Sequence, residues 1–189
     1  MIHSTPRPEF CTPALCAVLE EGVREIVGPE RTAQLFQQAR QAAQPGFPAA
    51  GGLSHAEIGA LQQTLESWYG PLSGRGLAVR IGRAGFRRAV RRWGGESGIN
   101  RLEFRLLPTP RRMRAGLDTA AGWLRAEAGL AVQVDENETA WFWNVSGCCT
   151  PDLIVGMLQE LTTWAGAGRT YRVVHQPPDG FNIPKKALD

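Results

Sequence analysis

The period of the apolar residues changes at residue 130 of this 189-residue chain, and that change limits what it can fold into. Over residues 13–128 apolar side chains recur at three- and four-residue spacing, the mark of amphipathic helices. From Leu130 they alternate instead. Leu130, Val132 and Val134 form one such run; Trp141, Trp143 and Val145, set against Ala140, Phe142 and Asn144, form a second, so two strands meet across residues 135–138. Helical spacing returns at Leu153, Ile154, Met157, Leu158, Leu161 and Trp164, and a last strand pair, 171–175 and 181–183, flanks the turn Pro177-Pro178-Asp179-Gly180. Helices first, then β-hairpin, helix, β-hairpin, is an α+β order: an antiparallel sheet covered by helices. Both faces of the second strand carry apolar bulk, so it is the central one or is lined by something apolar.

Local signals set the boundaries. Thr12-Pro13 supplies an N-cap and a first-turn proline for a helix that Gly28 stops; Pro29-Glu30 opens another, which ends before Pro45. Residues 44–53 read as a loop. Ser54 and Glu57 form a capping box that opens a helix reaching Gly70. Residues 70–76 read as a turn, 77–93 as a helix, 94–107 as irregular and 109–128 as a helix. The length suits one domain, residues 13–189, behind a flexible arm, 1–12. At 43% hydrophobic and 21% charged residues, composition excludes a disordered, collagen-like or disulfide-built chain. No apolar run approaches ~18 residues and none of signal-peptide type opens the chain, so a cytoplasmic protein without a transmembrane segment is expected.

Charge is unevenly spread. Residues 75–114 hold 12 Arg against Glu96 and Glu103, a segment of +10 in a chain of +3. On the predicted helix 77–93, Arg80, Arg83, Arg87 and Arg91 share one arc, Val79, Phe86, Val90 and Trp93 another, and Ala78, Gly82, Gly85 and Ala89 form a strip of small residues beside the apolar one. Glycine inside a helix costs up to about 1 kcal/mol relative to Ala. Two of them imply either a helix backbone packed closely there or a ligand lying against the strip. The Arg face reads as an intramolecular or dimer-interface charge match, or as an anion- or partner-binding face. Nucleic acid is the least favoured partner, because interleaved exposed aromatics and any helix-turn-helix or zinc-finger spacing are missing.

The phrases LESWYGPLSGRGLAVRIGRAGF (residues 65–86) and VGMLQELTTW (155–164), together with the order of elements, resemble the 4-vinyl reductase domain family over residues 29–188. That resemblance implies a small-molecule-binding domain, an α+β sandwich related to haem nitric-oxide-binding domains and TRAPP subunits, with helices pairing into homodimers and a hydrophobic pocket between sheet and helices. Family members often carry cysteines both before the penultimate helix and in the final hairpin. Here the first site keeps Cys148 and Cys149, and the second has none.

Within that frame, Phe86, Met113, Trp123, Trp141, Phe142, Trp143 and Met157 supply adaptable aromatic and thioether surface for an apolar ligand pocket, or build an ordinary core. Cys148, Cys149 and His175 could converge on a zinc ion, although adjacent cysteines lack the usual Cys-x₂-Cys spacing; buried thiols and a surface His are the plainer reading. Haem would need an axial ligand, and His3, His55 and His175 all sit outside the middle of an apolar helix face. Gly74-Arg75-Gly76 lacks the third glycine of a dinucleotide fingerprint, no phosphate loop is present, and no Ser, His and Asp set stands out. The function expected is therefore non-catalytic binding or sensing of a hydrophobic small molecule, such as a hydrocarbon, lipid or tetrapyrrole, by a homodimer. The alternative is an interaction or scaffold subunit that uses its helical face.

Overall fold

The computed structural model describes residues 10–43, 52–147, 150–166, 169, 171–178 and 180–188. Strand β1 (Phe10–Cys11) leads into α1 (Pro13–Val27), whose N-cap Thr12 accepts a hydrogen bond from the Leu15 N–H. Gly28 ends α1 at φ +85°, and Pro29 opens α2 (Pro29–Ala42) directly behind it. Strand β2 (Leu53–Ser54) pairs antiparallel with β1, so Phe10 and Cys11, which the sequence assigns to the arm, are built into the fold by this bridge and by burial of Cys11. Helix α3 (His55–Tyr69) starts at the expected capping box: the Glu57 N–H donates to Ser54 Oγ at 3.1 Å, and the Ser54 N–H donates to Glu57 Oε2 at 2.6 Å.

Gly70 at φ +84° makes the turn alone, and Pro71 opens α4 (Pro71–Trp93) at once, six residues earlier than expected. Gly74 is a packing residue rather than a turn residue: a Cβ added there would lie 2.4 Å from Glu66 Cα on α3. The stretch after α4 is not wholly irregular. It contains the short helix α5 (Leu102–Leu106), which buries Phe104.

Helix α6 (Thr109–Ala128), strands β3 (Ala131–Glu136) and β4 (Ala140–Ser146), and helix α7 (Pro151–Ala165) fall where the periodicity puts them. Strands β5 (Val174–Gln176) and β6 (Gly180–Pro184) complete one antiparallel sheet in the order β3-β4-β6-β5, with β4 interior as expected. Register sets Trp143 opposite Val134 on one side and Phe181 on the other, so the alternating face of β4 points into the helices. Tyr171, expected in the last strand pair, is buried ahead of β5 against Trp141. Two clusters of buried side chains result: one joins the sheet to α6 and α7, and the other lies among α1, α2, α3 and α4. No helix among the described residues is long and apolar enough to cross a membrane.

Candidate functional site

Helix α4 is in contact with both clusters, and its small residues decide how close its neighbours come. A Cβ added at Gly82 would lie 2.0 Å from the Leu153 carbonyl oxygen, and one added at Gly156 would lie 1.9 Å from the Val79 carbonyl oxygen. The two helices therefore interlock glycine to backbone in both directions. Gly22 of α1 approaches the Gly85 nitrogen in the same way, with its added Cβ at 3.1 Å. The backbone contact implied by the small-residue strip is thus made within the chain.

Gly85 itself is different. A Cβ added there meets nothing within 4 Å, because the residue borders a cavity of about 130 Å³ between α1, α3, α4, α6 and α7. The wall is apolar almost throughout. Phe86 and Trp93 of α4, Trp123 of α6 and Met157 of α7 give it aromatic and thioether surface, and Val18 and Leu124 add aliphatic surface. Phe86 and Trp123 lie 6.2 Å apart between ring centroids, and Trp93 and Trp123 lie 5.7 Å apart. The alternative drawn from the small-residue strip, a ligand lying against it, has its space here.

Of the seven pocket residues expected from sequence, the structure brings Phe86, Trp123 and Met157 to this cavity. Met113, Trp141 and Trp143 are packed into the core on the sheet side, and Phe142 is half-buried on the opposite face of β4, opposite Asp135 and Asn182. Sequence reasoning reached Gly85 only through the ligand alternative for the small-residue strip, and did not place Trp93, His55 or Cys11 at the site. Trp93 stood on the apolar face of α4 and carried a usable signal; His55 and Cys11 become wall residues only through long-range packing.

The few polar wall groups have structural work. His55 Nε2 donates to the Ala128 carbonyl at 2.7 Å and so satisfies a carbonyl that the end of α6 leaves open. Thr150, also on the wall, is the N-cap residue of α7 and serves it through its carbonyl, which accepts from the Ile154 N–H at 3.3 Å, without a side-chain cap bond. The cavity therefore presents apolar surface and offers a ligand little hydrogen bonding.

On the outer face of α4 the arginines divide. Arg87 bridges Glu25 at 2.7 Å and Glu160 at 3.2 Å, Arg88 reaches Glu25 at 3.2 Å and Glu21 at 3.4 Å, and Arg83 donates to Gln159 at 2.7 Å. The hydrogen bond from Arg87 holds the Glu25 carboxyl below its ordinary range, and the same bond raises Arg87. Much of the charge match expected from sequence is thus intramolecular. Arg80 and Arg91 are exposed and form no ion pair among the described residues. Cys148 and Cys149 lie outside the described residues. The His175 ring stacks on Phe181 at 5.1 Å, with Nε2 3.3 Å from the Pro178 carbonyl oxygen, and no group of three or more metal-ligating side chains occurs among the described residues.

No family model and no curated protein sequence matches this chain. Solved structures do. The unliganded Fe(II) H-NOX protein from K. algicida is similar with a TM-score of 0.60 at 11% identity, covering 94% of this chain and 97% of its own. The S. oneidensis H-NOX protein in its Fe(II)NO state gives 0.60 at 9% identity, covering 94% and 99%. An oxygen-binding H-NOX domain related to soluble guanylate cyclases gives 0.56 at 8% identity, covering 94% and 97%. At such identities the likeness shows the fold, and it spans nearly the whole chain.

Proposed function

We propose that this chain is a non-catalytic binding and sensing domain for a small apolar molecule, taken up in the cavity between α1, α4, α6 and α7. The observation that carries the reading is the contrast along one helix: Gly82 is pressed against a backbone, whereas Gly85, one turn away, faces open space. A cavity of about 130 Å³ falls short of the ~300 Å³ usual for drug-sized ligands. It is close to the ~150 Å³ that suffices for benzene in an apolar void. A hydrocarbon of about one ring is the ligand class that fits. This agrees with the hydrophobic pocket that the resemblance to 4-vinyl reductase domains implies, and membership of that family remains part of the proposal.

Haem is the group the fold suggests, since structural neighbours have been studied for heme redox potential and, in the H-NOX family, for heme distortion. The described residues do not fit it. The cavity is too small for a tetrapyrrole, and no Arg or Lys among the described wall residues faces the carboxylates that haem carries. Of the wall residues with axial-ligand chemistry, Cys11, His55 and Met157, His55 commits Nε2 to the Ala128 carbonyl, so the misfit rests on size and on the missing cationic partners. An apolar guest makes neither demand.

Toluene serves as the test ligand, with tryptophan emission as readout because Trp93 and Trp123 are wall residues. The wild-type chain is expected to bind toluene saturably with a change in emission. Gly85→Leu, which fills the void from a position without steric opposition, is expected to weaken binding at least ~10-fold while the chain stays folded by circular dichroism. No saturable change up to the solubility of toluene, or equal binding by Gly85→Leu, would overturn the reading.

A further inference from the structure

The segment between α4 and α6 carries the most exposed large apolar side chains of the described chain apart from Leu72: Leu102 is 68% and Leu106 74% exposed. Their placement follows from helix geometry. They lie four positions apart on α5, hence about 40° apart around its axis, while Phe104 lies about 200° from Leu102 and is buried. The helix is thus anchored through Phe104, and its leucines point straight out to solvent. Phe104 in turn stacks on Trp164 at a centroid distance of 4.9 Å, which fixes α5 to α7.

The surroundings of the two leucines are basic. Arg101 and Arg105 precede them by one position each and flank the leucine stripe on the same side; both are exposed, as are Arg91, Arg92 and Arg111 on the adjoining ends of α4 and α6. Glu96 and Glu103 are the acidic side chains of residues 91–112 and leave an excess of positive charge. Arg112 pins the segment, donating to the Arg105 carbonyl at 2.9 Å and also to the Ala165 carbonyl. Beside α5 opens a groove of about 330 Å³ bordered by Phe104, Arg105, Arg112 and Trp164, an aromatic floor with two guanidinium groups at its rim.

We infer that this end of the molecule docks on an anionic lipid bilayer, with Leu102 and Leu106 entering the acyl boundary and the arginines meeting lipid phosphates. Two exposed leucines alone would not choose an occupant. Their union with a rim of arginines that form no ion pair among the described residues does, because apolar insertion beside cationic contact is the combination that holds peripheral proteins on anionic membranes. The inference is independent of the cavity.

Vesicle co-sedimentation of the full chain tests it, using vesicles of phosphatidylcholine alone and of phosphatidylcholine mixed with phosphatidylglycerol. Binding is expected on the anionic vesicles, with weaker binding on the neutral ones and a marked loss at high salt. Leu102→Ser with Leu106→Ser is expected to lower the partition coefficient by about 10-fold or more. Arg101→Ala with Arg105→Ala should lower it about 10-fold on anionic vesicles and leave neutral ones unaffected. Both pairs of side chains are exposed, so melting temperatures should stay at the wild-type value. Failure to sediment with anionic vesicles, or equal binding by the leucine variant, overturns the inference. So does sedimentation velocity showing a wild-type dimer that the leucine variant breaks, since the face would then belong to a second copy of the chain.

Discussion

Asp152, at the start of α7, holds a charge in an unfavourable place. Burial pushes its carboxyl above the usual range, and Glu66 adds to that shift; Arg75, a hydrogen bond from Gln62 Nε2 at 2.7 Å and His175 oppose it. Gln62 donates through the same nitrogen to Glu66 at 3.1 Å, and its buried Oε1 has no hydrogen-bond partner among the described residues. Because the folded-state pKa is raised, the folded chain holds this proton more tightly than the unfolded chain. The contribution of Asp152 to stability is therefore highest at acid pH and falls as pH rises through the folded pKa. Asp152→Asn keeps an acceptor for Gln62 and removes the charge. It is expected to melt at a higher temperature than wild type at pH 7, with the difference closing toward pH 4, and thermal denaturation at the two pH values measures this. A variant that is less stable at pH 7 would show that the charge at the helix N-terminus outweighs its desolvation.

At the scale of elements, the pairing of α4 with α7 rests on two glycines that serve opposite backbones. Gly156→Ala would drive a methyl group to 1.9 Å from the Val79 oxygen and push the helices apart, at an expected cost of about 3 kcal/mol. Gly85→Ala meets no atom within 4 Å and gains helix propensity, so it is expected to stabilise the chain by about 0.5–1 kcal/mol. Urea denaturation of both variants checks the contrast, and equal effects would mean that helix propensity alone governs these positions. The glycines also show how far the sequence could be read. A glycine within a helical pattern is visible locally, but whether its missing side chain faces a backbone, as at Gly82, or a void, as at Gly85, depends on where α7 lies. For the same reason Gly74 reads as a turn residue until α3 is set beside it. The α+β order, the capping box at Ser54 and the interior position of β4 needed only local signals, since each follows from spacing or from one short motif. Alternation in β4 shows that Trp141 and Trp143 face inward; whether that interior is filled or hollow is fixed by residues far away in sequence.

For the whole molecule, the cavity lies on the seam between the two cores. Ile81 of its wall belongs to the α1–α4 cluster, while Phe86, Leu124 and Ile154 belong to the cluster that joins the sheet to α6 and α7. A cavity of about 130 Å³ at that seam leaves wall side chains of both cores short of packing partners. A guest that fills it restores contacts to both cores at once and so couples their openings. From the wall, the rings continue outward: Phe86 lies 6.3 Å from Trp164, which stacks on Phe104 under α5. Toluene at about 100 times its dissociation constant should stabilise the folded chain by about 2.7 kcal/mol. For a chain of this length that corresponds to a rise in melting temperature of roughly 5–10 °C. Hydrogen exchange distinguishes a seam from a local pocket: with toluene bound, amides of α1 and α3 in one core and of α6 and α7 in the other are expected to slow together. Protection confined to the wall residues of α4 would show that the two cores open independently, and that the cavity is a defect within one of them rather than the joint between both.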